Sequence, residues 1–197
     1  MSQNTCRKIA PDSIQPKEFK FTKANAEKAN AIKSIYPSNY PESSIMPLLM
    51  IAQNQNSGWV PKKAIEYVAS FLKVPEIKVL EIATFYTMYN LSPVGEFHIE
   101  ICTTTPCMLR GSDSILQVCE KNLGIGVGEM SNDSKFSLNR VECLGACVNA
   151  PVVKINDDYY EDLDSKTFNL LINNFKQGKK SSIGPQSKRK GSEPLKG

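Results

Sequence analysis

The sequence predicts an α+β protein in which an N-terminal helical bundle precedes a small α/β domain. Three observations predict it. Between residues 22 and 92, apolar residues recur at helical spacing in four segments separated by proline-containing breaks. From residue 96 the hydrophobic period drops to two, and strand-like and helix-like segments then alternate. With 41% apolar and 22% charged residues over 197 positions, the chain has material for one or two cores.

The elements follow in order. Residues 1–21 contain Pro11 and Pro16, scattered charge and little periodicity, and are expected to form an extended arm. Thr22 suits the N-cap of a first helix, KANAEKANAIKSIY, which Pro37 follows closely. Pro41, Glu42 and Ser43 open a second, SSIMPLLMIAQNQN, with Ile45, Leu48, Leu49 and Ala52 on one face; Ser57 and Gly58 end it. Pro47 falls in its first turn, where the missing N–H costs little. Pro61 starts a third helix, KKAIEYVASFL, and Pro75 a fourth, EIKVLEIATFYTMY, which Ser92 and Pro93 close. Short connections make residues 22–92 a helical bundle.

Residues 93–177 read as the second domain. In EFHIEIC, Phe97, Ile99 and Ile101 alternate with His98 and Glu100, the pattern of a half-buried strand. Pro106 then starts one helix, MLRGSDSILQVCEKNLG, with Ile115, Leu116, Cys119 and Leu123 inward. After the loop GIGVGE, FSLNRVECLGAC reads as a strand leading into a loop, and PVVKIND as a strand turning at Asp157–Asp158 into YYEDL. Asp164 or Ser165 caps a last helix, KTFNLLINNFKQG. The order β-α-β-β-α matches a thioredoxin-like layer of helices on a small mixed sheet, in which Pro151 is a candidate for a cis peptide. Residues 178–197 are expected to be a basic disordered tail. The stretch 176–197 carries a net +6 against +4 for the whole chain, so the remaining body is near −2.

Composition excludes several function classes. No stretch approaches the ~18–20 apolar residues needed to span a bilayer, and MSQNTCRKIAPDS lacks the apolar core of a signal peptide. A reducing compartment is therefore expected, with thiols free to bind metal. No G-x-G-x-x-G precedes a helix and no P-loop is present, so no dinucleotide or flavin site is expected on this chain. The basic tail lacks aromatic residues to stack on bases, so no nucleic-acid partner is expected.

The chemistry lies in the cysteines. Cys102 and Cys107 (CTTTPC) and Cys143 and Cys147 (CLGAC) form C-x4-C and C-x3-C pairs, each after a predicted strand. Two such pairs brought together make a four-thiolate cage, which binds either an iron–sulfur cluster or structural zinc. The spacers are wider than the C-x2-C knuckles usual for zinc, and they also depart from the plant-type ferredoxin run. Small residues between the thiols leave backbone N–H groups free to point at sulfur. Cys119 sits on an apolar helix stripe and reads as core, and Cys6 as a bystander in the arm. His98 is the single histidine, so Rieske-type ligation is excluded for this chain alone; it reads as an exposed or structural residue. Arg110 and Arg140 each lie three residues from a candidate ligand and read chiefly as surface residues.

The segment EIATFYTMYNLSPVGEFHIEICTTTPCMLRGS, then RVECLGACVNAPVVKIND, with QNQNSGWVP upstream, closely resembles the thioredoxin-like [2Fe–2S] subunit of respiratory complex I over about residues 20–177. The resemblance implies one [2Fe–2S] cluster held by Cys102, Cys107, Cys143 and Cys147. It implies an electron-transfer subunit of NADH:quinone oxidoreductase, whose cluster exchanges single electrons with the FMN of a partner flavoprotein subunit. The equivalent diaphorase-module subunit of an NAD-linked hydrogenase or formate dehydrogenase is the alternative. The helical bundle becomes the expected docking domain, with Thr84, Phe85, Tyr86, Tyr89 and Asn90 as candidate partner contacts. The expected place is peripheral, touching the membrane only through the complex: the cytoplasmic face of a bacterial inner membrane, or the matrix side in a mitochondrion.

Overall fold

The computed structural model describes residues 7–179 and 181–194. They form two compact units that divide in the sequence between Val94 and Gly95. The helical unit contains α1 (Lys23–Ile35), α2 (Ile45–Gln55), α3 (Lys62–Leu72) and α4 (Glu76–Phe85). The Thr22 hydroxyl accepts the Asn25 N–H, satisfying one orphan donor of α1. Pro61 and Pro75 take the N-cap positions of α3 and α4. Ile45, Leu48, Leu49 and Ala52 of α2 pack with Ala64, Ile65, Val68 and Ala69 of α3 and with Val79 and Ala83 of α4.

Two features of this unit differ from the periodicity-based expectation. The described part of the extended arm is anchored on the bundle, which periodicity does not reveal. Ala10 N–H donates to Leu91 O (2.9 Å), Lys62 pairs with Asp12 (2.6 Å), and Phe21 is buried edge-to-face against Phe19, Tyr67 and Phe71. An extended segment that docks through isolated aromatic side chains has no helical period to reveal it. The second difference is that α4 stops at Phe85, short of Ser92–Pro93. The chain leaves the helix to bury Tyr89, whose hydroxyl donates to Met46 O (2.9 Å). Gln53 holds the exit by donating to Met88 O (3.0 Å) and accepting from Asn90 N–H (2.8 Å). Arg7 donates to the carbonyls of Thr84, Tyr86 (2.7 Å) and Tyr89 (2.8 Å).

The second unit is a five-stranded mixed sheet in the order β2-β1-β3-β4-β5. Its strands are β1 (Phe97–Cys102), β2 (Phe136–Val141), β3 (Val153–Ile155), β4 (Asp158–Glu161) and β5 (Gly184–Pro185). β1 pairs parallel with β2 and antiparallel with β3; β3 pairs antiparallel with β4. A short helix, α5 (Thr105–Leu109), follows β1. Helices α6 (Ser112–Leu123) and α7 (Ser165–Lys176) bring Ile115, Leu116, Cys119, Phe168, Leu171 and Ile172 onto Ile99, Ile101, Leu138, Val153 and Ile155. Asp164 caps α7 in a reciprocal capping box with Thr167. The peptide bond between Ala150 and Pro151 is cis.

Three corrections belong to this unit. The single helix expected after Pro106 is two, α5 and α6, because the chain turns at Gly111, whose φ of 98° is accessible essentially only to glycine. β1 is buried on both faces, because its polar residues find partners: His98 Nδ1 lies 2.7 Å from Ser137 Oγ, and Lys154 donates to Glu100 Oε2 at 2.7 Å. The stretch expected to be a disordered tail contains β5, which pairs parallel with β4. Lys180 and residues 195–197 of that tail, and Cys6 of the arm, lie outside the described residues. Among the described residues no helix is long and apolar enough to cross a membrane.

Candidate metal centre

The parallel pairing of β1 with β2 sets Cys102 opposite Val141, so both strands end at the same edge of the sheet and the loops that follow them meet there. Thr103 N–H donates to Val141 O (3.3 Å), which ties the two exits together. Cys102 closes β1, with its N–H on Val152 O (3.2 Å). Cys107 lies in α5, a single short helical turn whose Met108 N–H reaches Thr104 O (2.9 Å). Cys143 follows β2, and Cys147 begins the three-residue 3-10 turn Cys147–Asn149.

The four thiols are free, Cys102 and Cys107 buried and Cys143 and Cys147 exposed. They meet as two pairs. Cys143 Sγ and Cys147 Sγ are 3.3 Å apart, and the Cys102 and Cys107 thiols share a hydrogen bond. Cys102 also acts electrostatically on both thiols of the outer pair. Two thiolates on one tetrahedral metal, at about 2.3 Å each, stand roughly 3.8 Å apart, so the outer pair is within a small adjustment of metal-binding geometry. Among the described residues no three His, Cys, Asp or Glu side chains surround a single-ion position.

Within each pair the protons divide unequally. Burial raises the Cys102 thiol, but hydrogen bonds from the Thr104 hydroxyl (3.3 Å) and backbone outweigh it and hold it below the ordinary thiol value. Burial and then the Cys102 hydrogen bond push Cys107 up to about 12. In the outer pair the Gly145 N–H, 3.4 Å from Cys143 Sγ, leads in lowering Cys143, while the hydrogen bond to Cys143 leads in raising Cys147. Gly145 adopts φ 84°, which aims its N–H at sulfur and would strain any residue with a Cβ. Donors that favour a thiolate also favour added negative charge on a metal bound to it.

The other sequence candidates fall elsewhere. Cys119 is fully buried in the core, where burial pushes its thiol up to about 12. Arg140 pairs with Asp113 (3.7 Å) rather than with a thiol, and Arg110 is exposed. His98 is buried on the strand rather than exposed, and burial holds its imidazole below the ordinary value. Of the five candidate partner contacts, Tyr89 and Asn90 are buried inside the helical unit; Thr84, Phe85 and Tyr86 remain exposed. Sequence reasoning missed the residues that hold the Cys147 turn from the far end of the chain. Arg189 donates to Val148 O (2.9 Å) and Asn149 donates to Gly191 O (3.0 Å).

Comparison with known proteins gives a consistent picture. Residues 29–176 match the pattern of the thioredoxin-like [2Fe–2S] ferredoxin family. The chain is 55% identical over 157 residues to a subunit of the NADH-quinone oxidoreductase of Rickettsia typhi, covering 80% of this chain and 92% of that protein. It is 47% identical over 182 residues to mitochondrial NADH dehydrogenase [ubiquinone] flavoprotein 2 of Dictyostelium discoideum, covering 92% of this chain and 74% of that one. An NAD+-reducing [NiFe]-hydrogenase crystal structure superposes with a TM-score of 0.57 at 18% identity, over 66% of this chain and 23% of that one, and shares the fold.

Proposed function

The chain belongs to the thioredoxin-like [2Fe–2S] ferredoxin family, and we propose that it is the electron-transfer subunit of an NADH–quinone oxidoreductase. The observation that carries the reading is the meeting of two thiol pairs at one sheet edge, in a chain 55% identical to a subunit of such an enzyme. Cys102, Cys107, Cys143 and Cys147 would hold one [2Fe–2S] cluster. When bound, the cluster supplies reversible one-electron storage.

The protein's own part is electrostatic. Gly145 N–H and the Thr104 hydroxyl donate toward sulfur and favour the more negative, reduced state. Burial of Cys102 and Cys107 opposes it. No Lys or Arg lies within either cysteine loop, so the balance falls to burial and a few donors, and a low reduction potential follows. Exposure of Cys143 and Cys147 puts one side of the site within reach of a partner's cofactor.

The proposed partner is an FMN-bearing flavoprotein subunit, which would supply the dinucleotide and flavin sites for which this sequence has no motif. The helical unit offers a docking surface, an open groove of about 510 Å³ lined by Glu81, Ile82, Thr84, Phe85 and Tyr86. Assembly is peripheral, on the cytoplasmic or matrix side of the membrane that carries the complex. The test is co-expression with a flavoprotein subunit of an NADH–quinone oxidoreductase. A one-to-one complex in which NADH reduces iron on this chain supports the assignment. A flavoprotein that ignores this chain, or a hydrogenase subunit recovered with it, refutes it.

A further inference from the structure

The family match ends at residue 176, yet the segment beyond is built into the unit that carries the thiols. After β5, Gln186 N–H donates to Glu161 O (2.9 Å). Arg189 then engages Asp162 with both prongs: Nε donates to Oδ2 at 2.7 Å and Nη2 to Oδ1 at 2.5 Å. Ser187 Oγ adds a third bond to that carboxylate (2.7 Å). Both side chains of the pair are less than a tenth exposed. Nη2 has a second proton, which goes to Val148 O at 2.9 Å. One residue on, Asn149 Nδ2 donates to Gly191 O (3.0 Å) and to the Glu161 carboxylate.

Val148 and Asn149 directly follow Cys147 in its three-residue turn. Packing does little for the first two residues of this turn, because Cys147 is exposed and Val148 is 70% exposed, while Asn149 is buried with its side chain hydrogen-bonded. Hydrogen bonds therefore hold it, and two of them come from the C-terminal segment. Arginine suits the task, since one planar guanidinium can grip both oxygens of a carboxylate and still serve a third acceptor. A lysine cannot span all three in that fixed geometry.

We propose that Arg189, anchored on Asp162, is a positioning residue for Cys147. Through it the C-terminal segment fixes the turn that presents the outer thiolate and so controls how firmly the cluster is kept and at what potential it works. This rests on the reading of Cys147 as a cluster ligand. Arg189 acts on Cys147 not directly but through the Val148 carbonyl.

The test compares the full-length protein with Arg189→Ala and Arg189→Lys. Hydrogen exchange at the Asn149 and Ala150 amides is followed in the cluster-loaded and the cluster-free protein. Iron loss to a chelator and the midpoint potential are measured on the loaded form. In Arg189→Ala, exchange at those two amides is expected to rise about tenfold, with iron lost several-fold faster, the potential shifted, and the Ile99 and Leu138 amides unchanged. Arg189→Lys keeps a positive charge against Asp162 but loses the fork, so it should fold and rescue the loss only in part. Should Arg189→Ala fold poorly, Arg189→Lys decides alone. Exchange and iron-loss rates within about twofold of wild type in both variants overturn the proposal. A wild-type protein that holds no iron overturns the cluster reading instead, while exchange in the cluster-free form still decides whether Arg189 braces the turn.

Discussion

Glu100 on β1 and Lys154 on β3 face each other directly across the antiparallel pair, with 2.7 Å between Glu100 Oε2 and Lys154 Nζ. Glu100 shares its strand face with His98 and with Cys102, because residues two apart on a strand point the same way. One ion pair therefore sits a single strand step from the thiol edge, on a strand, β1, that is buried on both faces.

Lys154→Met should expose what this pairing offsets. It leaves the Glu100 carboxylate buried without its cation, and Lys154, a quarter exposed, limits the cost to roughly 2 kcal/mol. Denaturant unfolding of the wild type and variant at pH 7 measures it.

The buried His98 gives a pH dependence of defined sign. Burial holds its folded-state value below the ordinary 6.5, against an opposing pull from Glu100. Above that ordinary value the imidazole is neutral in both states and its full contribution to stability is present. As pH falls below about 6.5, the unfolded chain takes up a proton that the folded one resists, and stability declines. His98→Gln should flatten unfolding free energy between about pH 5 and 6.5 relative to wild type. An unchanged slope would mean that other groups dominate this window.

The two classes of cysteine should separate cleanly. Cys143→Ser removes a candidate ligand and should leave less than about a tenth of the wild-type iron. Cys119→Ser should keep the iron and its visible spectrum, at a stability cost of about 1–3 kcal/mol for a hydroxyl in the apolar core. Bleaching by Cys119→Ser would refute the ligand assignment.

Asp164→Ala removes both the side-chain acceptor for the Lys166 and Thr167 N–H groups and the reciprocal capping box. A loss of about 1 kcal/mol is expected, measured by thermal unfolding, with the iron content unchanged.

Much of this architecture was legible because it is local. Thr22 and Asp164 announce helix starts through chemistry that acts within three residues. The Ile45, Leu48, Leu49 and Ala52 stripe needs only the helical period. The four candidate cysteines were legible for the same reason, as two short spacings behind two strands. What was hidden depends on distant partners. Arg189 looks like one more charge in a basic tail until the fold brings Asp162 and Val148 to it. Tyr89 continues a helical pattern, yet the chain leaves the helix because burying that ring and bonding its hydroxyl to Met46 O prevails over extending the local hydrogen bonds of α4. Gly111 was visible, but only its backbone angle of 98° explains why one helix became two.

The central claim is that Cys102, Cys107, Cys143 and Cys147 hold a redox-active [2Fe–2S] cluster. Its most direct test is electron paramagnetic resonance of the anaerobically purified protein before and after dithionite reduction, with iron and sulfide analysis. The account predicts a silent oxidised state and a reduced S = 1/2 signal, with about two irons and two sulfides per chain. Silence in both states, with zinc in place of iron, would contradict it.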